Sequence, residues 1–358
     1  MPTFDPTQFK LRKAYNHDGT FFGLAANLDQ QRLYAGSDDY GIHVYDLSDP
    51  DSKGAIARWA KHDNYVSAVA VVNGGGSTPV VVSGGLDRQL IWWNADTGEP
   101  LRTVEGHAGW VRDLVVFPDQ KRLASAGDDM VVKIWEAASG RLLRVLEGHA
   151  PLTPQGHVTA LYAVAVSPDG QHVAGGDRVG VVHVWEADTG KRVRTFEVPT
   201  LYTYDPRQRK RSIGGIRSLA FSPDGKLLAV GGIGQIGNVD GLGGPVHVEL
   251  WDWNKPELRL VTGADGHKAF VHALIFHPAG DWLLGAGGGG DNAFLGFWKI
   301  DPLPAQPGDG KKDPVPVHRV KMDGHIHRLI LDADKHALYA AGYRKLEIWG
   351  IDEVVIKP

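Results

Sequence analysis

The sequence contains no cysteine. Disulfides and thiolate metal sites are therefore excluded, and the absence is compatible with the cytosol. Net charge is also nearly missing, at -4, which gives no global bias toward nucleic acid or membrane. No stretch approaches the roughly 18–20 consecutive apolar residues of a membrane span. The first nineteen residues, MPTFDPTQFKLRKAYNHDG, lack the apolar segment of a signal peptide. These absences lead to a cytoplasmic protein without membrane contact. What the chain does have is length and apolar content, 358 residues at 42% hydrophobic, enough for a sizeable core. Length alone would suggest two domains, but a repeat array escapes that rule and has to be sought first.

The clearest unit is residues 106–136, GHAGWVRDLVVFPDQKRLASAGDDMVVKIWE. Residues 111–117, 122–126 and 131–135 are short runs rich in Val, Ile and Leu. Pro118-Asp119-Gln120 and Asp128-Asp129 separate them as turns. Residues 141–146 supply a fourth strand before the next Gly148-His149. The spacing then recurs. His107 and Trp135 lie 28 positions apart, as do His17 and Tyr45, and His157 and Trp185. His62 to Trp93 and His267 to Trp298 are 31 apart, the excess falling in glycine-rich turns. Pro118, Pro168 and Pro278 each follow their histidine by 11 positions, and this register selects His157 over His149. Pro223 marks a further copy with Ser212 in the histidine position, and the last runs from His325 to Trp349.

Four short strands between a Gly-His and a Trp-Asp-like pair resemble one blade of a WD40 propeller, and the resemblance covers nearly the whole chain. It implies one all-β domain over residues 1–358, a seven-bladed ring of four-stranded antiparallel blades. The repeats fall near 17–50, 62–100, 107–147, 157–197, 212–260, 267–303 and 325–351. The Trp-Asp pair is degenerate, and only Trp251-Asp252 matches outright. Residues 9–18, FKLRKAYNHD, read like residues 141–150, so a strand near 9–15 is expected to close the last blade against residues 345–349. The rival is closure by residues 353–357.

The resemblance also implies buried hydrogen-bond chains of Asp, His, Ser and Trp. Two are complete: Asp87, His62, Ser83, Trp93, and Asp129, His107, Ser125, Trp135. Asp, His and Ser together suggest hydrolysis, but the same groups satisfy one another as structure, and that reading is preferred. Elsewhere Ala35, Gly175, Val230, Gly285 and Ala340 replace the serine, so those blades are expected to rely on apolar packing and to be less rigid. Residues 232–237 spell G-x-G-x-x-G after a strand, yet no helix start follows, which leaves a long turn rather than a dinucleotide site. His325 and His327 would share one strand face, with His272 at the matching place in the preceding blade, but nothing points to the third ligand and second-shell acceptors a metal site needs. No metal and no cofactor is expected.

In a meander, the turn between the second and third strands shares an end with the link to the next blade. Residues 150–155, 198–211, 231–245 and 287–292 all enlarge that end, whereas residues 301–314 enlarge the other. The inner-strand starts at the first end carry Phe22, Tyr65, Trp110, Arg112, Tyr162, Arg217, Phe270, His272 and His327. Aromatic and arginine side chains are what interaction hot spots favour. The expectation is a non-catalytic scaffold, monomeric on its own, that binds an unidentified protein or peptide there. Two alternatives stay open. One is a hydrolase or oxidoreductase at the channel mouth. The other is nucleic-acid or anion binding by Arg207, Arg209, Lys210 and Arg211, with nucleic acid the less favoured partner.

Overall fold

The computed structural model describes residues 4–72, 79–206, 211–237, 243–262, 267–289, 292–301, 303, 318–332, 334 and 336–351. Among these, helix is limited to two three-residue 3-10 turns, Pro6–Gln8 and Pro199–Leu201. No helix is long and apolar enough to cross a membrane. The rest is a β-propeller of antiparallel sheets.

The unit at the centre of the sequence argument forms four strands: Val111–Val116, Arg122–Gly127, Val132–Glu136 and Leu142–Leu146. Their turns follow from side-chain chemistry. Asp119 Oδ1 accepts from the backbone N–H of Lys121 and Arg122, and Gln120 takes a positive φ of 57° to complete the first turn. In the second turn, Tyr40, Arg88, Met130 and Gly180 occupy equivalent places, and all four have positive φ. An aspartate just before this residue, Asp39 or Asp87, accepts the N–H two positions on.

Five sheets have four strands each, and a separate two-stranded ribbon pairs Tyr202–Asp205 with Arg211–Gly214. The sequence repeats lead to seven separate blades, but the large sheets number six. The first and last repeats run into one six-stranded sheet. The cause is two long strands, Phe9–Asn27 and Ala337–Ile351, that each serve two neighbours. Phe9 pairs with Ile351 and Tyr15 with Leu346, whereas residues 21–27 pair with residues 32–37. The register jumps between Asn16 and Thr20, where the strand passes from one repeat to the next. Residues 353–357, the rival closing segment, lie outside the described residues.

Adjacent sheets bury apolar side chains between them. Ala124, Val132 and Ile134 pack with Leu161, Val164 and Val173 of the following repeat. Tyr15, Tyr339 and Leu346 pack with Phe21, Leu33 and Tyr45, which joins the last repeat to the first.

Candidate functional site

The inner strands share an irregularity that decides what faces the channel. Pairing with the second strand skips one residue near the start of each of six inner strands: Phe22, Ser67, Arg112, Tyr162, His272 and His327. A bulge leaves its extra residue unpaired and re-aims its side chain. All six line one cavity of about 300 Å³ at the channel mouth, together with Arg217, which precedes the strand Ser218–Phe221 of the fifth repeat. Six bulge residues and Arg217 thus face the same space.

The nine residues singled out from sequence form an unbroken series of ring and cation contacts. Tyr65 stacks on Phe22 at 5.8 Å, Phe22 meets His327 at 5.0 Å, and His327 meets His272 at 4.8 Å. His272 stacks on Phe270 at 5.5 Å, and the Arg217 guanidinium lies 5.4 Å from Phe270 and 3.9 Å from Tyr162. Arg112 completes the series, 5.3 Å from Tyr162 and 4.8 Å from Trp110. Two of the nine do not line the cavity. Trp110 is 45% exposed on the rim, and Phe270 is a buried wall behind Arg217, packed on Ile233 and Ile236.

Three side chains that matter here, Ser67, Arg328 and Asp113, escaped the sequence reading. Ser67, not Tyr65, is the bulge residue of its repeat, although Tyr65 also lines the cavity. A signal existed: Phe22, Ser67, Arg112 and His272 each lie five positions after their repeat histidine. Arg328 reaches across the channel from the last repeat to Asp113 of the third, Nη2 donating to Oδ1 at 2.9 Å. Asp128 accepts two bonds of 2.7 Å from Arg112. Pairing of neighbouring strands brings Arg112 to Asp128, whereas only closure of the ring brings Arg328 to Asp113.

Burial sets the charges. It pushes the Asp113 carboxyl up, against the pull of Arg328 and of two backbone N–H donors. It drives His272 well below the ordinary imidazole range and His327 to about 3, with neighbouring cationic groups adding to the effect. Both imidazoles are neutral at pH 7.

The two serine chains form as the resemblance implies. His107 meets Asp129 at 2.8 Å and Ser125 at 2.6 Å, and Trp135 Nε1 donates to Ser125 Oγ at 2.8 Å. His62, Asp87, Ser83 and Trp93 repeat this geometry. Indole can only donate and carboxylate can only accept, so each Ser Oγ accepts from its tryptophan and each His Nδ1–H donates to its aspartate. Burial raises Asp87 and Asp129, but bonds from their histidines and backbone N–H groups outweigh it and hold both below the usual range.

Two expectations about these chains need correction. The structural histidine of the fourth repeat is His149, not His157. His149 is buried and its Nδ1 lies 2.8 Å from Asp177. His157 sits in a loop that folds back on itself, with Thr153 N donating to His157 O, so the insertion follows the histidine and does not precede it. Nor do all blades without the serine go without its hydrogen bond. Glu249 accepts from Trp251 Nε1 at 2.9 Å and Glu347 from Trp349 Nε1 at 3.1 Å, each from two positions earlier on the same strand. Trp298 Nε1 has no partner among the described residues.

His17, Asp39 and His43 bring potential ligand atoms within 4.8 Å of one another. Arg58 Nε already donates to Asp39 Oδ2 at 2.9 Å, the oxygen that His43 also meets. The G-x-G-x-x-G stretch ends in residues 234–237 without helix, and residues 238–242 lie outside the described set. So do Arg207, Arg209 and Lys210, and the side chain of Arg211.

The WD40 family profile, described as "WD domain, G-beta repeat", matches residues 98–136, 140–186, 208–235 and 258–298. Nuclear distribution protein PAC1 of Arthroderma benhamiae is 36% identical over 103 residues, 27% of this chain and 22% of that protein. Nuclear distribution protein PAC1-2 of Uncinocarpus reesii is 27% identical over 244 residues, 67% of this chain and 40% of the relative. Protein HIR1 of Eremothecium gossypii is 28% identical over 136 residues, 35% and 16% of the respective chains. The matches thus span less than half the length of these relatives. Four stretches of the chain thus carry WD40 repeats, and the sheets supply the four-stranded blades that such repeats require.

Proposed function

We propose that this protein is a non-catalytic docking platform, and that a protein or peptide segment binds over the channel mouth. The observation that carries the reading is the convergence of six bulge side chains and Arg217 on a single cavity, rimmed by exposed Tyr65 and Trp110. Bulges at all these strands would be idle if the channel were only packed core. An enzyme in this cavity would need paired carboxylates or a nucleophile beside a base. Asp113 and Asp128, the carboxylates bonded to lining residues, are each engaged by an arginine. Ser125 and Ser83 are fully buried away from it.

We read the ring as seven blade units, two of them merged in the six-stranded sheet. Seven hydrophobic clusters, one at each join between successive repeats, support this count. The cysteine-free sequence supports a cytoplasmic setting, and the small net charge supports a protein rather than a nucleic-acid partner.

The test uses a displayed library of random dodecapeptides selected on the full chain. Peptides that bind should lose about tenfold or more in affinity on the double variant Trp110→Ala, Tyr65→Ala, since hot-spot aromatics carry energy of that order. Both positions are exposed, so the fold should survive. Equal affinity for wild type and variant would mean that another face binds.

A further inference from the structure

Three guanidinium groups line the cavity, and two of them are answered by carboxylates: Arg112 by Asp128, and Arg328 by Asp113. Arg217 is not. Among the described residues it has no carboxylate partner, and its Nε is buried with no hydrogen-bond partner at all. Tyr162 at 3.9 Å and Phe270 at 5.4 Å hold the guanidinium in place by its faces. Burial, with Arg112 and Arg178 nearby, weakens its hold on its proton, against the pull of the Tyr162 hydroxyl, which acts by charge and by a hydrogen bond. A guanidinium nevertheless stays charged in proteins. The neighbouring His272 and His327 are uncharged at pH 7 and offer no compensation.

A desolvated cation without a counter-ion is costly, and structures normally pair or remove it. We propose that Arg217 is the receptor for a carboxylate, delivered as an Asp or Glu side chain of the docking segment. The proposal rests on the docking reading above and names the partner's chemistry. At about 300 Å³ the cavity lies at the small end of ligand pockets, suited to one inserted side chain and not to a folded element. The rim argues for a peptide over a free small acid. Tyr40, Tyr65 and Trp110 are 43%, 38% and 45% exposed, and they extend the contact surface well beyond the reach of one carboxylic acid.

The experiment takes peptides selected on the full chain and replaces each Asp or Glu by Asn or Gln. One acidic position should recur, and its amide should weaken binding by about tenfold or more on wild type, the usual worth of a charge-assisted bond. The same replacement should change affinity less than about twofold on Arg217→Met, which removes the charge and keeps the length. Arg217→Met should melt no lower than wild type, because it deletes an unanswered cation. Should that variant fail to fold, amide replacement on wild type and on Arg217→Lys decides, both being expected to keep the acidic preference. Absence of a recurring acidic position, or equal amide effects on wild type and Arg217→Met, would overturn the proposal. Glutarate is the small-acid arm, and binding as tight as the peptides' would overturn a peptide source. Peptides that need Trp110 and Tyr65 but ignore Arg217 sink this inference alone. Peptides indifferent to all three sink the docking reading with it.

Discussion

Ser125 joins two groups that have no other hydrogen-bonding outlet in their positions. The hydroxyl is fully buried, takes the indole proton of Trp135 and binds His107 Nε2. Ser125→Ala strands both partners, and the cost should be roughly 1–3 kcal/mol, read by equilibrium denaturation. No chemical activity should change with it, because no substrate can reach an oxygen with no exposed surface. Protonation supplies a second prediction at this scale. His183 is held at about 4 and His327 at about 3, in both cases first by burial. In the unfolded chain these imidazoles titrate near 6.5. Below that pH the unfolded state binds more protons, so stability falls as pH drops from about 6.5 toward about 3. Above pH 7 this contribution is constant. Thermal melts from pH 8 to pH 4 should be flat at first and then decline. A Tm that rises between pH 7 and pH 5 would contradict the burial argument for both residues.

At the scale of the element, the closing strand decides whether the ring is a ring. Residues 9–16 bury Phe9 and Tyr15, which are 4% and 2% exposed, against the last repeat. Deleting residues 1–16 removes both aromatics and opens a strand edge. At roughly 1.5–3 kcal/mol for each buried aromatic, the loss should be about 3–6 kcal/mol, with association of the exposed edges. A truncated protein that melts with wild type and stays monomeric would show that the pairing is dispensable. This closure was legible in sequence because the segment copies residues 141–150 and finds no blade of its own nearby. The merging of two repeats in one sheet was not, since hydrogen bonding through residues 16–21 depends on how the chain crosses between blades. The His149 error has a similar origin. Spacing to Pro168 counts residues along the chain, whereas the loop at 150–158 folds away from the sheet and should not be counted. The glutamates that replace serine beneath Trp251 and Trp349 were also missed. They come from the tryptophan's own strand, so a comparison confined to the serine position cannot find them.

For the whole molecule, the cavity-bearing face was readable to the extent that meander geometry is general. The end at which long loops gather followed from strand order, and the inner-strand starts followed from the repeat. The bulges are what turn those starts into a cavity. They account for five of the nine chosen residues lining it, Phe22, Arg112, Tyr162, His272 and His327. Charge balance could not be read from sequence at all. Arg112, Arg217 and Arg328 look alike in sequence, and the fold assigns Asp128 to the first, Asp113 to the third and, among the described residues, no carboxylate to the second. The most direct test places a photoreactive benzoylphenylalanine at one position at a time and irradiates with a bound, selected peptide. Trp110 samples the channel mouth, exposed Leu101 the outer strand, and Lys226 the turn at the opposite end. Cross-linking at position 110, and none at 101 or 226, is the predicted result. Cross-linking at position 226 with none at 110 would contradict the account.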